Sequence, residues 1–268
     1  MPKVQAGSVK MNYEQQGSGD PLVLIPYLAA DHACYAFQIP DYSKHFTCIS
    51  VDLRGAGESD KPAGTHSTQM YADDVAALMQ TLGISKAHIY GVSLGAAIGL
   101  WLAGKYPDRV KSLSLHSAWH KSDPYLKAVV NGWQVMAKQI DDMPEAVIQA
   151  IFPWCFRPEL YGRKPEYIQT LSDFVRARPK QPLEAFIQQS NAAIGHDAET
   201  QLGKIRAPTQ ITFGRYDMVC STRFAEPLKS GIKNSELHIF EDCSHAALYE
   251  NVAAFNEKTL AFLRQHAG

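Results

Sequence analysis

The sequence predicts an α/β protein with a mostly parallel, doubly wound sheet and an inserted helical cap. Three observations support this fold class. Short, wholly apolar runs alternate with helical patterns through the first half of the chain. The pattern becomes purely helical between residues 119 and 202, and strand patterns then return before a last helix. Strand and helix in alternation indicate a parallel sheet with right-handed crossovers.

The composition is that of a globular protein built around one sizeable core. The chain has 268 residues, of which 46% are hydrophobic and 20% charged. This excludes global disorder and fits one large domain, or one domain carrying an insertion. Lys and Arg number 26 against 27 Asp and Glu, a formal net charge of -1. Without a clustered basic excess, we expect neither nucleic acid nor an anionic membrane as a partner.

Targeting and cysteine patterns favour a cytoplasmic protein. The first ten residues contain no apolar core of a signal peptide, and no stretch approaches the roughly 18 to 20 apolar residues that span a bilayer. The five cysteines are scattered, odd in number and without a C-x-x-C pair. We therefore expect reduced, mostly buried thiols, and neither a disulfide framework nor a metal site.

Four apolar runs in the first half have the length and β-branched content of buried strands. They are residues 21–25, 46–52, 87–91 and 110–115.

Two helices are predicted between these strands. Residues 69–82 are amphipathic, with Asp73 and Asp74 near the positive end of the helix. Residues 94–105 are apolar nearly all round and stop before Tyr106 and Pro107, so this helix is expected to pack against the sheet. The strand pattern resumes at residues 208–214 and 235–240, and a last helix is predicted from about Val252 to Gln265.

The helical stretch divides the chain into two predicted units. Residues 1–118 and 203–268 form the core domain, and residues 119–202 form the cap. The cap holds more aromatic and Met side chains than a small helical layer needs for its own packing, so part of it is expected to line a pocket. The side chains predicted to bind substrate are Trp119, Trp133, Trp154 and Phe156.

The most informative motif is Gly91-Val92-Ser93-Leu94-Gly95, a G-x-S-x-G sequence between an apolar strand and an apolar helix. A serine on so tight a turn has a strained backbone, and the positions two residues away on either side must be very small. The turn presents the hydroxyl at the N-terminus of the helix, where free N–H groups stabilise negative charge. Ser93 is therefore the predicted nucleophile.

Along essentially its whole length the chain resembles the α/β-hydrolase fold family. The segment from Asp52 to Ser59 is similar to the family's D-x-R-G-x-G-x-S signature, whose role is expected to be structural. The resemblance rests on landmarks that occur in the family's order: residues 21–27, 52–59, 91–95, 214–217 and 244–245.

A serine nucleophile needs a general base, and His245 is the predicted one. Histidine suits neutral pH, and the resemblance places the family's base in the loop after the last strand, before the C-terminal helix. A buried carboxylate must hold the imidazole. Asp217, just past the strand 208–214, gives the chain order Ser, Asp, His of this fold. Asp123, after the preceding strand, remains the alternative acid.

An acyl-transfer site also needs two donors for the oxyanion. One is expected to be the backbone N–H of Leu94, directly after the nucleophile. The other comes from the loop after residues 21–25, where many relatives have His-Gly and this chain has Ile25-Pro26-Tyr27. Pro26 has no N–H, so the predicted second donor is Tyr27.

These residues predict a serine hydrolase that cleaves a small carboxylic ester or lactone through an acyl-enzyme, without metal or organic cofactor. The aromatic cap favours an acyl-chain or aryl substrate; resemblance to enol-lactone and acyl-homoserine lactone hydrolases is limited to the cap and the oxyanion loop. Three alternatives stay open: a cofactor-free perhydrolase of haloperoxidase type, a C–C bond hydrolase, and a ligand receptor without turnover. The oligomeric state is left open.

Overall fold

The structure is a computed structural model that describes residues 2–268. Its centre is an eight-stranded sheet with strand order β1-β2-β4-β3-β5-β6-β7-β8. Strands β1 and β2 pair antiparallel, as do β2 and β4, and every other neighbouring pair is parallel. The strands are β1 Lys3–Ala6, β2 Val9–Gln16, β3 Asp20–Ile25, β4 Phe46–Val51, β5 Ala87–Val92, β6 Val110–His116, β7 Thr209–Gly214 and β8 Ser235–Phe240.

Helices cover both faces of the sheet, which confirms the predicted fold class. Side chains alternate along each strand, so Leu22 and Leu24 of β3 join one core while Val23 and Ile25 join the other. The α-helices are α1 Ile39–Tyr42, α2 Thr68–Thr81, α3 Leu94–Lys105, α4 Pro124–Ile140, α5 Met143–Ala146, α6 Phe152–Cys155, α7 Pro158–Arg163, α8 Pro165–Arg176, α9 Leu183–Ile194, α10 Ala225–Gly231, α11 Ala247–Glu250 and α12 Val252–Gln265.

Shorter turns of helix complete the chain. A π-helical turn, Val147–Ile151, joins α5 to α6. The 3₁₀ turns are His32–Tyr35, Pro107–Arg109, Glu199–Lys204 and Thr222–Phe224.

The N-terminal hairpin was not among the predicted strands. Strands β1 and β2 are joined by a two-residue turn in which Gly7 has φ +58°, the left-handed conformation that suits such turns. The prediction for Asp73 and Asp74 also needs correction. Ser67 caps α2 by accepting the Met70 N–H, so the two acids lie in the second turn, paired with Lys105 and Arg54 respectively, and not at the positive end.

The segment assigned to the cap runs between β6 and β7 and contains α4 to α9. Two backbone hydrogen bonds join the first and last parts of this segment. The Ser122 N–H donates to the His196 carbonyl (2.9 Å), and the Ala198 N–H donates to the His120 carbonyl (2.7 Å). The entry and exit of the cap therefore lie side by side. Across residues 2–268 we find no helix with the length and apolar character needed to cross a membrane. All five cysteines are unpaired.

Candidate active site

Ser93 occupies the turn between β5 and α3. Its backbone has φ 53° and ψ -117°, a strained conformation for a residue with a side chain. The Ser93 N–H donates to the His116 carbonyl of the neighbouring strand at 2.8 Å, which secures the turn against the sheet. This is the geometry expected of a serine on a sharp strand-to-helix elbow.

The two glycines of the motif are required by close backbone approach. A Cβ at Gly91 would lie 2.3 Å from the carbonyl carbon of Gly95. A Cβ at Gly95 would lie 2.0 Å from the Ile25 carbonyl oxygen and 2.9 Å from that of Pro26. The loop after β3 therefore packs directly against the first turn of α3, where the predicted oxyanion donors Tyr27 and Leu94 belong.

His245 and Asp217 form the second part of the site. His245 Nδ1 lies 2.8 Å from Asp217 Oδ2, and both side chains are buried. Asp217 Oδ1 accepts the N–H groups of Val219 (2.8 Å) and Cys220 (2.9 Å). Burial opposes ionisation of Asp217, but the charge of His245 and these hydrogen bonds outweigh it and lower the carboxyl pKa. The buried acid is thus held ionised beside the imidazole.

Ser93 and His245 line the same cavity, but residues 2–268 include no hydrogen bond between their side chains. Such bonds are often long in the absence of substrate and tighten only when it binds. No other histidine of the described chain lines this cavity: His32, His116, His120 and His196 all lie elsewhere.

The alternative acid Asp123 is engaged away from His245. Its Oδ1 caps α4 by accepting the Leu126 N–H at 2.7 Å, and its Oδ2 lies 2.8 Å from Arg223 Nε. Of the two candidate acids, only Asp217 contacts the imidazole.

The cavity beside Ser93, called the acyl chamber below, is mostly apolar. It encloses about 560 Å³, including its open mouth. Of the four predicted substrate-binding residues, the structure places Trp133 and Phe156 in its wall. The predicted oxyanion donor Tyr27 also lines the chamber. Further wall residues that sequence reasoning missed are Val147, Ile151, Phe152, Cys155, Leu248 and Tyr249.

The structure places Trp119 and Trp154 away from this chamber. Trp119 is buried in the cap's base, where its indole N–H donates to Ser122 Oγ at 2.8 Å. Trp154 lines a separate groove with the exposed side chains of Tyr125 and Met136. Helical periodicity identifies an apolar face but not which neighbour that face meets, so the four aromatic residues were indistinguishable in the sequence.

The phenol of Tyr27 packs against Tyr249, and both residues line the acyl chamber. Its hydroxyl lies 2.8 Å from that of Tyr249, and the rings meet edge to face. Burial raises the pKa of the Cys34 thiol, an effect that the neighbouring Tyr27 amide N–H opposes.

One buried cluster has the residue types of a metal site. Ligand atoms of Asp31, His32 and Asp52 lie within 4.8 Å of one another. These atoms already serve a hydrogen-bond network: Asp52 Oδ1 accepts the His32 N–H at 2.7 Å, and Arg178 Nε donates to Asp31 Oδ2 at 2.8 Å. The cluster therefore connects the core to the cap through Arg178, with its oxygens occupied by donors.

Comparison with known proteins identifies the family. Residues 20–252 match the family described as alpha/beta hydrolase fold. Because this match covers most of the 268 residues, the chain belongs to the α/β-hydrolase fold family, which confirms the family inferred from the landmarks above.

Relatives with similar full-length chains support this membership. An AB hydrolase superfamily protein, YisY, from Bacillus subtilis is 30% identical over 261 residues, covering 95% of each chain. 3-Oxoadipate enol-lactonase 2 from Acinetobacter baylyi is 26% identical and covers 97% of this chain and 95% of its own. The crystal structure of MGS-M2, an alpha/beta hydrolase enzyme from a deep-sea metagenome library, superposes with TM-score 0.90 at 24% identity, covering 98% and 97% of the two chains.

Proposed function

We propose that this protein is a serine hydrolase that cleaves a small carboxylic ester or lactone through a Ser93 acyl-enzyme. The observation that carries the proposal is the strained Ser93 backbone at an apolar chamber that also holds the Asp217-bound His245. A strained serine persists only where the surrounding structure enforces it, and such strain concentrates at functional sites.

The proposed reaction proceeds in two halves. Ser93 Oγ attacks the carbonyl carbon while His245 Nε2 accepts the hydroxyl proton. Asp217 holds the Nδ1 proton and stabilises the imidazolium. The N–H groups of Leu94 and Tyr27 are proposed to stabilise the oxyanion. His245 then protonates the departing alcohol, and a water molecule, deprotonated by the same imidazole, releases the acid from Ser93.

The chamber supports a neutral, largely apolar acyl group. Its walls are formed by aromatic and aliphatic side chains such as Trp133, Ile151 and Phe156, and no Lys, Arg, Asp or Glu is among the described residues that line it. One similar protein is named an enol-lactonase. Since lactones and esters share a tetrahedral acyl-transfer intermediate, the same residues serve both.

The test compares wild type with Ser93→Ala on p-nitrophenyl esters and acyl lactones of increasing chain length. We expect Ser93→Ala to lower kcat by at least about 10⁴-fold, because without the Ser93 hydroxyl no acyl-enzyme forms and His245 has no nucleophile to activate. Ser230→Ala, at an exposed position of α10, is the matched control and should retain wild-type turnover. Comparable turnover by Ser93→Ala would overturn the mechanism. A burst without turnover in wild type would instead indicate a ligand receptor.

A further inference from the structure

The loop after β3, called the oxyanion loop below, covers residues 26–29 and is weakly supported by its own backbone. Pro26 has no N–H with which to anchor it. The Ala30 N–H donates to the Tyr27 carbonyl at 3.3 Å, longer than the usual distance of about 2.9 Å. Ala29 has φ 61°, the left-handed region that is unfavourable for a residue with a Cβ. The oxyanion loop therefore needs contacts from outside to keep this conformation.

The phenol of Tyr27 anchors the oxyanion loop to the segment that carries the general base. Its Oη lies 2.8 Å from Tyr249 Oη, although the two residues are 222 positions apart in the chain. Tyr249 belongs to α11, which begins two residues after His245. The two rings also meet edge to face, with their centroids 6.4 Å apart. This contact joins the oxyanion loop directly to the helix beside the base.

The protons of this pair have a defined order. Tyr249 Oη donates its only proton to the Cys34 carbonyl at 2.6 Å. A carbonyl can only accept, so the bond between the two phenol oxygens must be donated by Tyr27. Burial raises the pKa of both phenols, so both stay protonated at neutral pH. Each hydroxyl therefore has a fixed acceptor, and the chain of bonds orients both rings.

Tyr249 is itself held in place through its backbone and its ring. Its N–H donates to the Ala246 carbonyl at 2.8 Å, directly after His245, and its carbonyl accepts the Tyr167 hydroxyl at 2.9 Å. The buried ring also packs edge to face on Phe37. Tyr249 is thus a fixed point for the oxyanion loop, set by the same turn of chain that follows the base.

We infer that Tyr249 is a positioning residue that sets the spacing between the general base His245 and the oxyanion loop, acting through the Tyr27 hydroxyl. The inference rests on the proposed function, which assigns the base and the oxyanion donors. Both must be correctly placed around one carbonyl carbon, and a displacement of about 1 Å is costly. Because they come from opposite ends of the chain, a tertiary contact must fix their spacing. The bond between the two phenols is such a contact.

Tyr249→Phe and Tyr27→Phe each remove this bond and keep both rings. We expect each to lower kcat on p-nitrophenyl butyrate by about tenfold with KM within about twofold, since loss of a whole oxyanion donor costs roughly 10²- to 10³-fold. The double variant should be no slower than Tyr249→Phe alone, because both changes break the same bond. Tyr106→Phe is the matched control: it breaks a phenol bond to Asp73 at the far end of α3 and should match wild type.

Inhibitor binding distinguishes positioning from a general loosening of the fold. In butyl trifluoromethyl ketone, Ser93 Oγ adds to the carbonyl carbon, its proton passes to His245, and the carbonyl π electrons form an oxyanion that resembles the transition state. Butyl methyl ketone is the ground-state reference, because its carbonyl is not activated for addition. We expect Tyr249→Phe to weaken binding of the trifluoromethyl ketone by about tenfold, in step with kcat/KM, and that of the methyl ketone by less than about twofold.

Equal weakening of both ketones, or a double variant whose loss is the product of the two single losses, would overturn the inference. Wild-type rates in both single variants would do the same, even where Ser93-dependent hydrolysis is found. A different result identifies failure of the proposed function: wild type would neither hydrolyse the ester nor bind the trifluoromethyl ketone more tightly than the methyl ketone. The inference would then fall with it.

Discussion

At Asp217, backbone N–H groups fix which carboxylate oxygen contacts His245. Its Oδ1 is occupied by the N–H groups of Val219 and Cys220, which leaves Oδ2 for His245 Nδ1. His245 is held by its backbone as well, since Ser117 Oγ donates to its carbonyl at 3.1 Å. Each partner of the pair is therefore oriented by contacts that do not take part in proton transfer.

Asp217→Asn should lower kcat by about 10⁴-fold while leaving the fold intact, as the same change does in a serine protease triad. The two backbone N–H groups would retain the asparagine oxygen, so its NH₂ group would face His245 Nδ1. That arrangement favours the tautomer with the proton on Nε2, which cannot accept the Ser93 proton. Steady-state ester hydrolysis and circular dichroism together test this.

Asp123→Asn is the matched control, because Asp123 contacts Arg223 and the start of α4 and not the imidazole. Its turnover is expected within about threefold of wild type. If Asp123→Asn were the damaging change and Asp217→Asn harmless, the acid would be misassigned.

Among the elements, the most consequential contact joins the cap to the loop that carries His245. The Ala246 N–H donates to the Cys155 carbonyl at the end of α6 (3.0 Å). The Glu250 carboxylate accepts the Arg157 N–H of the cap (2.6 Å) with one oxygen and the Ser244 N–H with the other. One half-buried carboxylate thus holds the cap and the His245 loop in a fixed relation.

Glu250→Gln should therefore loosen the cap against the His245 loop. An amide has one acceptor oxygen, so either the Arg157 or the Ser244 N–H would face an NH₂ group. Losing one such charge-assisted bond costs about 2 kcal/mol, which lowers Tm by about 4 °C for a chain of this size. We expect kcat/KM to fall about tenfold. Calorimetry and ester kinetics provide the measurements.

The control for this change is Glu226→Gln, at an exposed position of α10. It should match wild type in both Tm and kcat/KM. A Glu250→Gln protein with unaltered kinetics would show that the hydrogen bonds of Glu250 do not position the site.

Over the whole molecule, buried histidines couple folding to pH. Burial lowers the pKa of His88 to about 4 and that of His116 and His196 to about 3. The unfolded chain binds these protons near pH 6.5, so between pH 6.5 and 4 it holds more protons than the folded chain. Stability is therefore lost as the pH falls through this window.

From pH 8 to 5.5 these three side chains should lower the free energy of unfolding by roughly 4 kcal/mol. His32 acts in the opposite direction: burial opposes its charge, but Asp52 raises its pKa, which offsets part of the loss. Urea unfolding at several pH values measures the slope, and His116→Gln should flatten it by about a third. A free energy of unfolding that stays constant to pH 5.5 would refute the expectation.

The sequence predicted the core elements well where the signal was local. Helices α3 and α12 begin and end where predicted, because their apolar patterns are continuous and Pro107 and Asn251 mark their borders. The hairpin of β1 and β2 was missed, since its half-exposed strands have no apolar run and their pairing is a tertiary contact.

In the candidate site, too, the features with a local sequence signal could be predicted and those that depend on tertiary packing could not. The Ser93 turn could be predicted because its motif consists of five adjacent residues, and the chain order of Ser, Asp and His follows from the family. The chamber walls depend on how the cap docks. Nothing in the local pattern distinguishes Trp133, which lines the acyl chamber, from Trp119, which packs into the base of the cap.

The closed base of the cap also has an evolutionary consequence. The backbone bonds from Ser122 to His196 and from Ala198 to His120 bring its two ends together, so the insertion joins the core through one short antiparallel bridge. Recombination between relatives at these two points would exchange the residues between them as one cassette. Such an exchange would replace the cap-derived wall of the acyl chamber while Ser93, Asp217 and His245 stayed with the inherited core.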